Sequence, residues 1–394
     1  MKRLINIFIV ILCLSTINIK AEELNIQSKN AILYNASDDE IMYEKNKTEI
    51  VQIASLTKIM TALVTLENID NLDKQIIITK EDLNGLSEAN LVTAGFTVGE
   101  VVTYKDLLYA LLLPSGADAA NALRRNVSNN FIELMNEKTK KLKLKNTKFN
   151  NPIGLDDENN YSSVEDLLII FKEALKNEEF KKIITTKECT TTDGKLTFKS
   201  TIQRNAKKYG IEVPYIEGGK TGTTGGAGLC LASIAKDENK NLILITTGAT
   251  YDKIAPHHIE DAKTIYDYFI KNYNNQKIVD KKKSFKKLKT KYTNVDYIKL
   301  YPKKDLIKYL PDNYNKEDIT YKYKGKQIIK YNDKGEIGTL KIYYKNKLID
   351  TQKITLKKKL KFSIKKYLKE NIIMIISIII TSIIIIFVLI KRAK

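Results

Sequence analysis

ASLTKIMTALVTLE, residues 54–67, follows a hairpin-like stretch and carries one apolar face. Leu56, Ile59, Met60, Leu63 and Leu66 recur at helical spacing, which predicts an amphipathic helix opening at Ser55. Within it, Ser55-Leu-Thr-Lys58 places a hydroxyl and an amine on the same face, one turn apart. A lysine drawn out of water and set near other cations gives up its proton more easily. Such an amine can take the proton from a serine that attacks a carbonyl. The Ser-x-x-Lys spacing alone is a weak signal in a lysine-rich chain, since it recurs at Ser233, Ser284 and Ser363. Ser284 and Ser363 stand in polybasic segments. Ser233 stands in a strand-like run, where the spacing would send Lys236 to the opposite face. Only Ser55 opens a well-formed helix.

Outward from that helix, residues 25–45 alternate as two strands, AILYNAS and IMYEK, about the turn DDE. Residues 76–180 read mostly as helices with short loops. Residues 183–250 turn to strand patterns: KIITT, ECTTT, KLTFKST, GLCLASIAK and NLILITTGA, the last two an antiparallel pair about DEN. An amphipathic helix over 259–273 closes this part, so strands flanking a helical block imply one α/β domain with a helical lobe. Two further stretches carry chemistry. LLLPSGADAANAL, residues 111–123, is an apolar helix that breaks at Pro114, presents Ser115 and resumes with small residues. EGGKTGTTGGAG, residues 217–228, holds the only Lys-Thr-Gly in the chain. A glycine-rich edge strand there would let a peptide lie against its backbone. Lys220 and Thr221 would offer a cation and a hydroxyl to a terminal carboxylate. The only two histidines, His257 and His258, are adjacent at a helix start and read as surface residues, so a Ser-His-Asp triad or a zinc site is not expected.

In order and spacing these stretches, with AILYNASDDEIMYEKN and LKLKNTKFNNPIGLDDENNYSSVEDL, resemble the serine D-alanyl-D-alanine carboxypeptidases, the low-molecular-weight penicillin-binding proteins. The resemblance covers roughly residues 25–275. It implies the α/β penicillin-binding-protein/β-lactamase-like transpeptidase fold, an antiparallel sheet with flanking helices and a helical lobe. It also implies removal of the terminal D-Ala from peptidoglycan stem pentapeptides, with β-lactams as covalent inhibitors and no metal or cofactor. By the resemblance Ser55 is the acylated nucleophile, Lys58 its base and Ser115 the proton relay. Lys220, Thr221, Gly222 and Thr223 would bind substrate, with Arg204 assisting at its carboxylate. The backbone N–H groups of Ser55 and Thr223 would form the oxyanion hole. One position departs from the pattern: Ala117 stands where the family's Ser-x-Asn has asparagine. Ser128-Asn-Asn130 also fits Ser-x-Asn but reads as a polar turn. Glu165 is the nearby carboxylate that a β-lactamase reading would need, and an inert penicillin-binding or wall-tethering protein is a further alternative.

Both ends carry addresses. MKRLINIFIVILCLSTINIKA has the basic start, apolar stretch and small final residue of a signal peptide, residues 1–21. Near the other end, 372–390 is uncharged and as a helix spans about 28 Å, close to a hydrocarbon core of ~30 Å. A transmembrane helix is expected over 371–390, and the basic tail 391–394 would be cytoplasmic, leaving the rest outside. The net charge of +20 is carried by the rear: 276–394 holds about 32 Lys/Arg against 10 Asp/Glu. No nucleic-acid motif accompanies it, and attraction to an anionic membrane or wall polymer fits better. The expected order is catalytic domain 22–275, basic linker 276–290, then a small β-rich domain over 291–365 with apolar-in, lysine-out strands. Cys189 and Cys230 could form one disulfide, but Cys230 reads better as a buried free thiol.

Overall fold

The computed structural model describes residues 24–237 and 240–393. The signal-peptide segment and part of the DEN turn lie outside them. The chain divides into two compact units, 1–270 and 271–394.

The first unit is built on a five-stranded antiparallel sheet. Its strands are β1 (Asn30–Asn35), β2 (Glu40–Lys45), β3 (Ile216–Thr224), β4 (Gly228–Asp237) and β5 (Lys240–Ala249). Their spatial order is β2-β1-β5-β4-β3, which leaves β3 at one edge. The central strands are buried along nearly their whole length, so they read as continuous apolar runs rather than alternating ones. Helix α1 (Thr57–Asn68) is buried from Thr57 to Thr65. The helical lobe adds α2 (Tyr104–Leu112), α3 (Ala117–Val127) and α4 (Val164–Ala174). Each opening has a local cause. The Thr103 and Asp106 side chains form a reciprocal capping box for α2, and Ser163 caps α4. Asp118 in the first turn of α3 and Arg124 and Arg125 in the last complement the helix dipole. Helix α5 (Thr201–Tyr209) packs on β3, and α6 (His257–Asn272) closes the unit.

Three expectations need correction. KIITT is not a strand but the end of a helix, Glu178–Thr185. Asn177 caps that helix, and Phe180, Ile183 and Ile184 bury one face of it, which outweighs the β-branched character of the run. His258 is not a surface residue: it lies on the inward face of α6 with Ile259, Ala262 and Ile265, and burial pushes its imidazole down to about 4. Residues 276–290 are not a linker. They hold most of the strand Tyr273–Val279 and the start of the strand Lys286–Lys291. Val279 and Leu288 are buried while Lys287 and Lys289 point out, so the lysines are the solvent face of a sheet.

The second unit is accordingly β-rich from Tyr273 to Leu356, with a core that includes Val279, Leu288, Leu300, Ile329, Leu340 and Ile342. Its largest sheet joins Ile319–Gly325, Gly335–Tyr344 and Lys347–Leu356. One helix, Ile364–Ala393, follows, and it is long and apolar enough to cross a membrane. Cys189 and Cys230 are both free thiols, and burial pushes Cys230 up to about 12.

Candidate active site

Four side chains from three distant parts of the first unit form two hydrogen-bonded pairs. Ser55 lies in a single 3-10 turn, Ala54–Leu56, that runs straight into α1. Lys58 is one turn further, wholly buried, with its Nζ 3.0 Å from Ser55 Oγ. Its second partner is the backbone carbonyl of Ile153 at 2.8 Å. Burial drives the Lys58 amine down to about 7, partly offset by the negative charge of Asp118. Ser115 sits in the break between α2 and α3 with φ +73, a left-handed conformation that costs a non-glycine residue of order 1–3 kcal/mol. Lys220, fully buried on β3, donates to Ser115 Oγ at 2.8 Å and to the Thr221 carbonyl at 2.7 Å. Its amine is pushed well below the ordinary lysine value by burial, then by the charges of Lys58 and Arg204. Two buried amines of depressed basicity therefore face two partly exposed hydroxyls.

β3 reaches this cluster because it lacks side chains where it passes the nucleophile. A Cβ on Gly222 would meet the Ala54 Cβ and the Ser55 nitrogen, each at 3.0 Å. Thr221 is buried and donates its hydroxyl to Thr201 of α5 at 2.7 Å. Thr223 is exposed on the strand, and Arg204 is exposed on α5. The loop over 151–156 closes the other side. Gly154, at φ +92, lies so tightly on the Ala54 carbonyl that a Cβ there would sit 1.9 Å from its oxygen. The loop lies in a stretch that carries the resemblance, but the part played by the Ile153 carbonyl was not legible, because a backbone acceptor leaves no side-chain signature. Its one legible sign is Asn151, whose Oδ1 accepts the N–H groups of Ile153, Gly154 and Leu155 in a tight turn.

Ala117 is buried at the start of α3, and its N–H donates to the Val92 carbonyl at 2.8 Å. With alanine at 117, Lys58 Nζ has Ser55 Oγ and the Ile153 carbonyl as its hydrogen-bond partners among the described residues. Asp118, next to it, is buried and accepts from the backbone N–H groups of Ala94, Gly95 and Phe96. Glu165 stands at the start of α4 with an ion pair to Lys47 at 3.7 Å, and it hydrogen-bonds none of the four clustered residues. Ser128-Asn-Asn130 caps helix ends: Ser128 follows α3, and Asn130 precedes the helix Phe131–Lys141.

Residues 17–251 match the family of D-alanyl-D-alanine carboxypeptidases. This chain belongs to that family. The D-alanyl-D-alanine carboxypeptidase DacF of Bacillus subtilis is 33% identical over 71% of this chain and 72% of its own length. The crystal structure of the Streptomyces K15 DD-transpeptidase superposes with a TM-score of 0.55 at 31% identity, covering 62% of this chain and 97% of that one. Penicillin-binding protein 5 from Haemophilus influenzae, at 23% identity, shares the fold with a TM-score of 0.62 over 85% of this chain and 98% of its own. The carboxypeptidase family is one of serine peptidases, and a serine beside an amine of depressed basicity is an arrangement compatible with such a hydrolase.

Proposed function

We propose that this carboxypeptidase releases the terminal D-Ala of peptidoglycan stem pentapeptides through an ester on Ser55. Lys58 Nζ accepts the Ser55 hydroxyl proton as Oγ bonds to the carbonyl carbon of the scissile amide. The backbone N–H groups of Ser55 and Thr223 receive the oxyanion, each such donor being worth about 3 kcal/mol in acyl-transfer enzymes. As the C–N bond breaks, the proton passes through Ser115, held by Lys220, to the departing D-Ala nitrogen. Water then attacks the ester, Lys58 again taking a proton, and Ser55 is restored. Thr221 and Gly222 of β3 guide the peptide along the strand edge, Arg204 supplies positive charge for its carboxylate, and Lys220 serves beneath it as a buried hydrogen-bond donor. The observation that carries this reading is the 3.0 Å approach of Ser55 Oγ to a fully buried amine held near neutrality.

A penicillin presents a strained amide to the same serine and forms a stable ester there. The apolar helix near the C-terminus anchors the protein in the cell membrane, and the basic residues after it keep that end cytoplasmic. The catalytic unit then works outside, on the wall. Transfer of the acyl group to an amine instead of water is the second reading, favoured by the K15 neighbour, which is named a transpeptidase. The test is mass spectrometry of the full chain in detergent after incubation with benzylpenicillin. One adduct per chain is expected, mapping to the peptide holding Ser55 and absent from Ser55→Ala. An unmodified wild-type chain, or an adduct that survives the substitution, overturns the assignment.

A further inference from the structure

The 151–156 loop makes three contacts around the site, and the third has no role in the mechanism above. Ile153 gives its carbonyl to Lys58, and Gly154 presses on the peptide that ends in the Ser55 nitrogen. Asp156 reaches across to the turn that joins β3 to β4. Its Oδ1 accepts from Thr224 Oγ1 at 2.5 Å and its Oδ2 from the Gly226 N–H at 2.9 Å. Thr224 Oγ1 in turn accepts the Ala227 N–H at 3.0 Å. The Gln52 side chain closes on the same turn, so tightly that a Cβ on Gly226 would lie 1.6 Å from its Oε1. The loop is itself stiff: Asn151 holds three of its N–H groups, and Thr61 Oγ1 donates to the Pro152 carbonyl at 2.7 Å.

We infer that Asp156 is a positioning residue for the oxyanion hole, clamping the turn after Thr223 to the same loop that braces Ser55. The two oxyanion donors belong to segments 168 residues apart in sequence, Ser55 ahead of α1 and Thr223 on an edge strand. β3 is paired on one side only, and its end at Thr224 runs into an exposed glycine pair. Gly222 lies against the Ser55 nitrogen on one side of Thr223, and the Asp156 contacts hold the chain on its other side. Donors must stand about 2.7–3.1 Å from the oxyanion, and a misplacement of ~1 Å can cost on the order of a hundredfold. Asp156 therefore acts on the transition state and not on the bound substrate.

This inference rests on the Ser55 reading, and the experiment separates the two. The full chain in detergent is assayed for Ser55 acylation by a fluorescent penicillin and for steady-state hydrolysis of a peptide ending in D-Ala-D-Ala. Labelling of wild type and its loss in Ser55→Ala secure the reading itself. Asp156→Ala is then expected to lower kcat and the acylation rate by roughly ten- to a hundredfold with KM within about twofold. Asp156→Asn, which can accept from Gly226 N–H and donate to Thr224 Oγ1, is expected to stay within about threefold of wild type. Thr224→Val removes the other half of the clamp and is expected to match Asp156→Ala, the double variant being no worse than the poorer single. A wild-type kcat in folded Asp156→Ala, a rise in KM alone, or an asparagine variant as poor as alanine overturns the inference. Should Asp156→Ala not fold, an unimpaired Thr224→Val overturns it equally.

Discussion

On the proposed mechanism the protonation of Lys58 governs how fast Ser55 is acylated, and its burial sets where on the pH scale that happens. A solvated lysine near 10.5 is neutral in only about three molecules in ten thousand at pH 7, whereas at about 7 half of them are. Burial thus raises the reactive fraction by on the order of a thousandfold at neutral pH. The perturbation is pH itself, from 5 to 9, and the assay is the pseudo-first-order rate of covalent labelling by a fluorescent penicillin at subsaturating concentration. With Lys58 as the proposed base the neutral amine is the reactive form, so the rate is expected to fall on the acid side. Below about pH 6 it should drop close to tenfold per pH unit, and above about pH 8 it should level off. A rate still climbing tenfold per unit at pH 9 would show a lysine as basic as one in water. A flat profile between pH 5 and 9 would show that Lys58 is not the base. Either result refutes the reasoning.

The same burial has a cost in stability. The unfolded chain binds a proton at Lys58 that the folded chain does not hold between about pH 7 and 10.5, so stability rises with pH across that window. Lys58→Met, similar in volume and uncharged, should raise the melting temperature by several degrees at pH 7 while abolishing acylation; an unchanged or lower melting temperature contradicts this. Ala117→Asn should acylate as fast as wild type or up to about tenfold faster, since the amide adds a partner for Lys58. A large loss, read by the same labelling rate, would mean that the packing around residue 117 is built for alanine. Gly154→Ala should reduce folded protein and labelling together, because its Cβ would overlap the Ala54 carbonyl; wild-type thermal stability in this variant counts against the tight seam.

What the sequence disclosed of the site was its side chains. Ser55 and Lys58 are legible because helical spacing brings residues three apart together. Ser115 and Lys220 are legible as a serine at a proline break and a lysine on a glycine-rich strand. Their mutual contact, across 105 positions, is a product of tertiary packing that no local pattern carries. The Ile153 carbonyl escaped because a backbone acceptor is chemically the same at every position. Lysine content hid the strand Lys286–Lys291, where the alternation lies in the buried Leu288 against the outward lysines. His258 was misplaced because a helix start gives no hint of which face turns inward until its neighbours are packed.

The lone flank of β3 has a further consequence. An unpaired strand is a template for any extended chain, including a second copy of the same protein, and sheet proteins commonly protect such borders. Here the border is glycine-rich and its principal cation is sunk into the interior. Few side chains are left to grip a neighbouring molecule, so self-association along this margin gains little. On the proposed function, a short peptide can pair its backbone with this margin and bring its end group toward the buried amine.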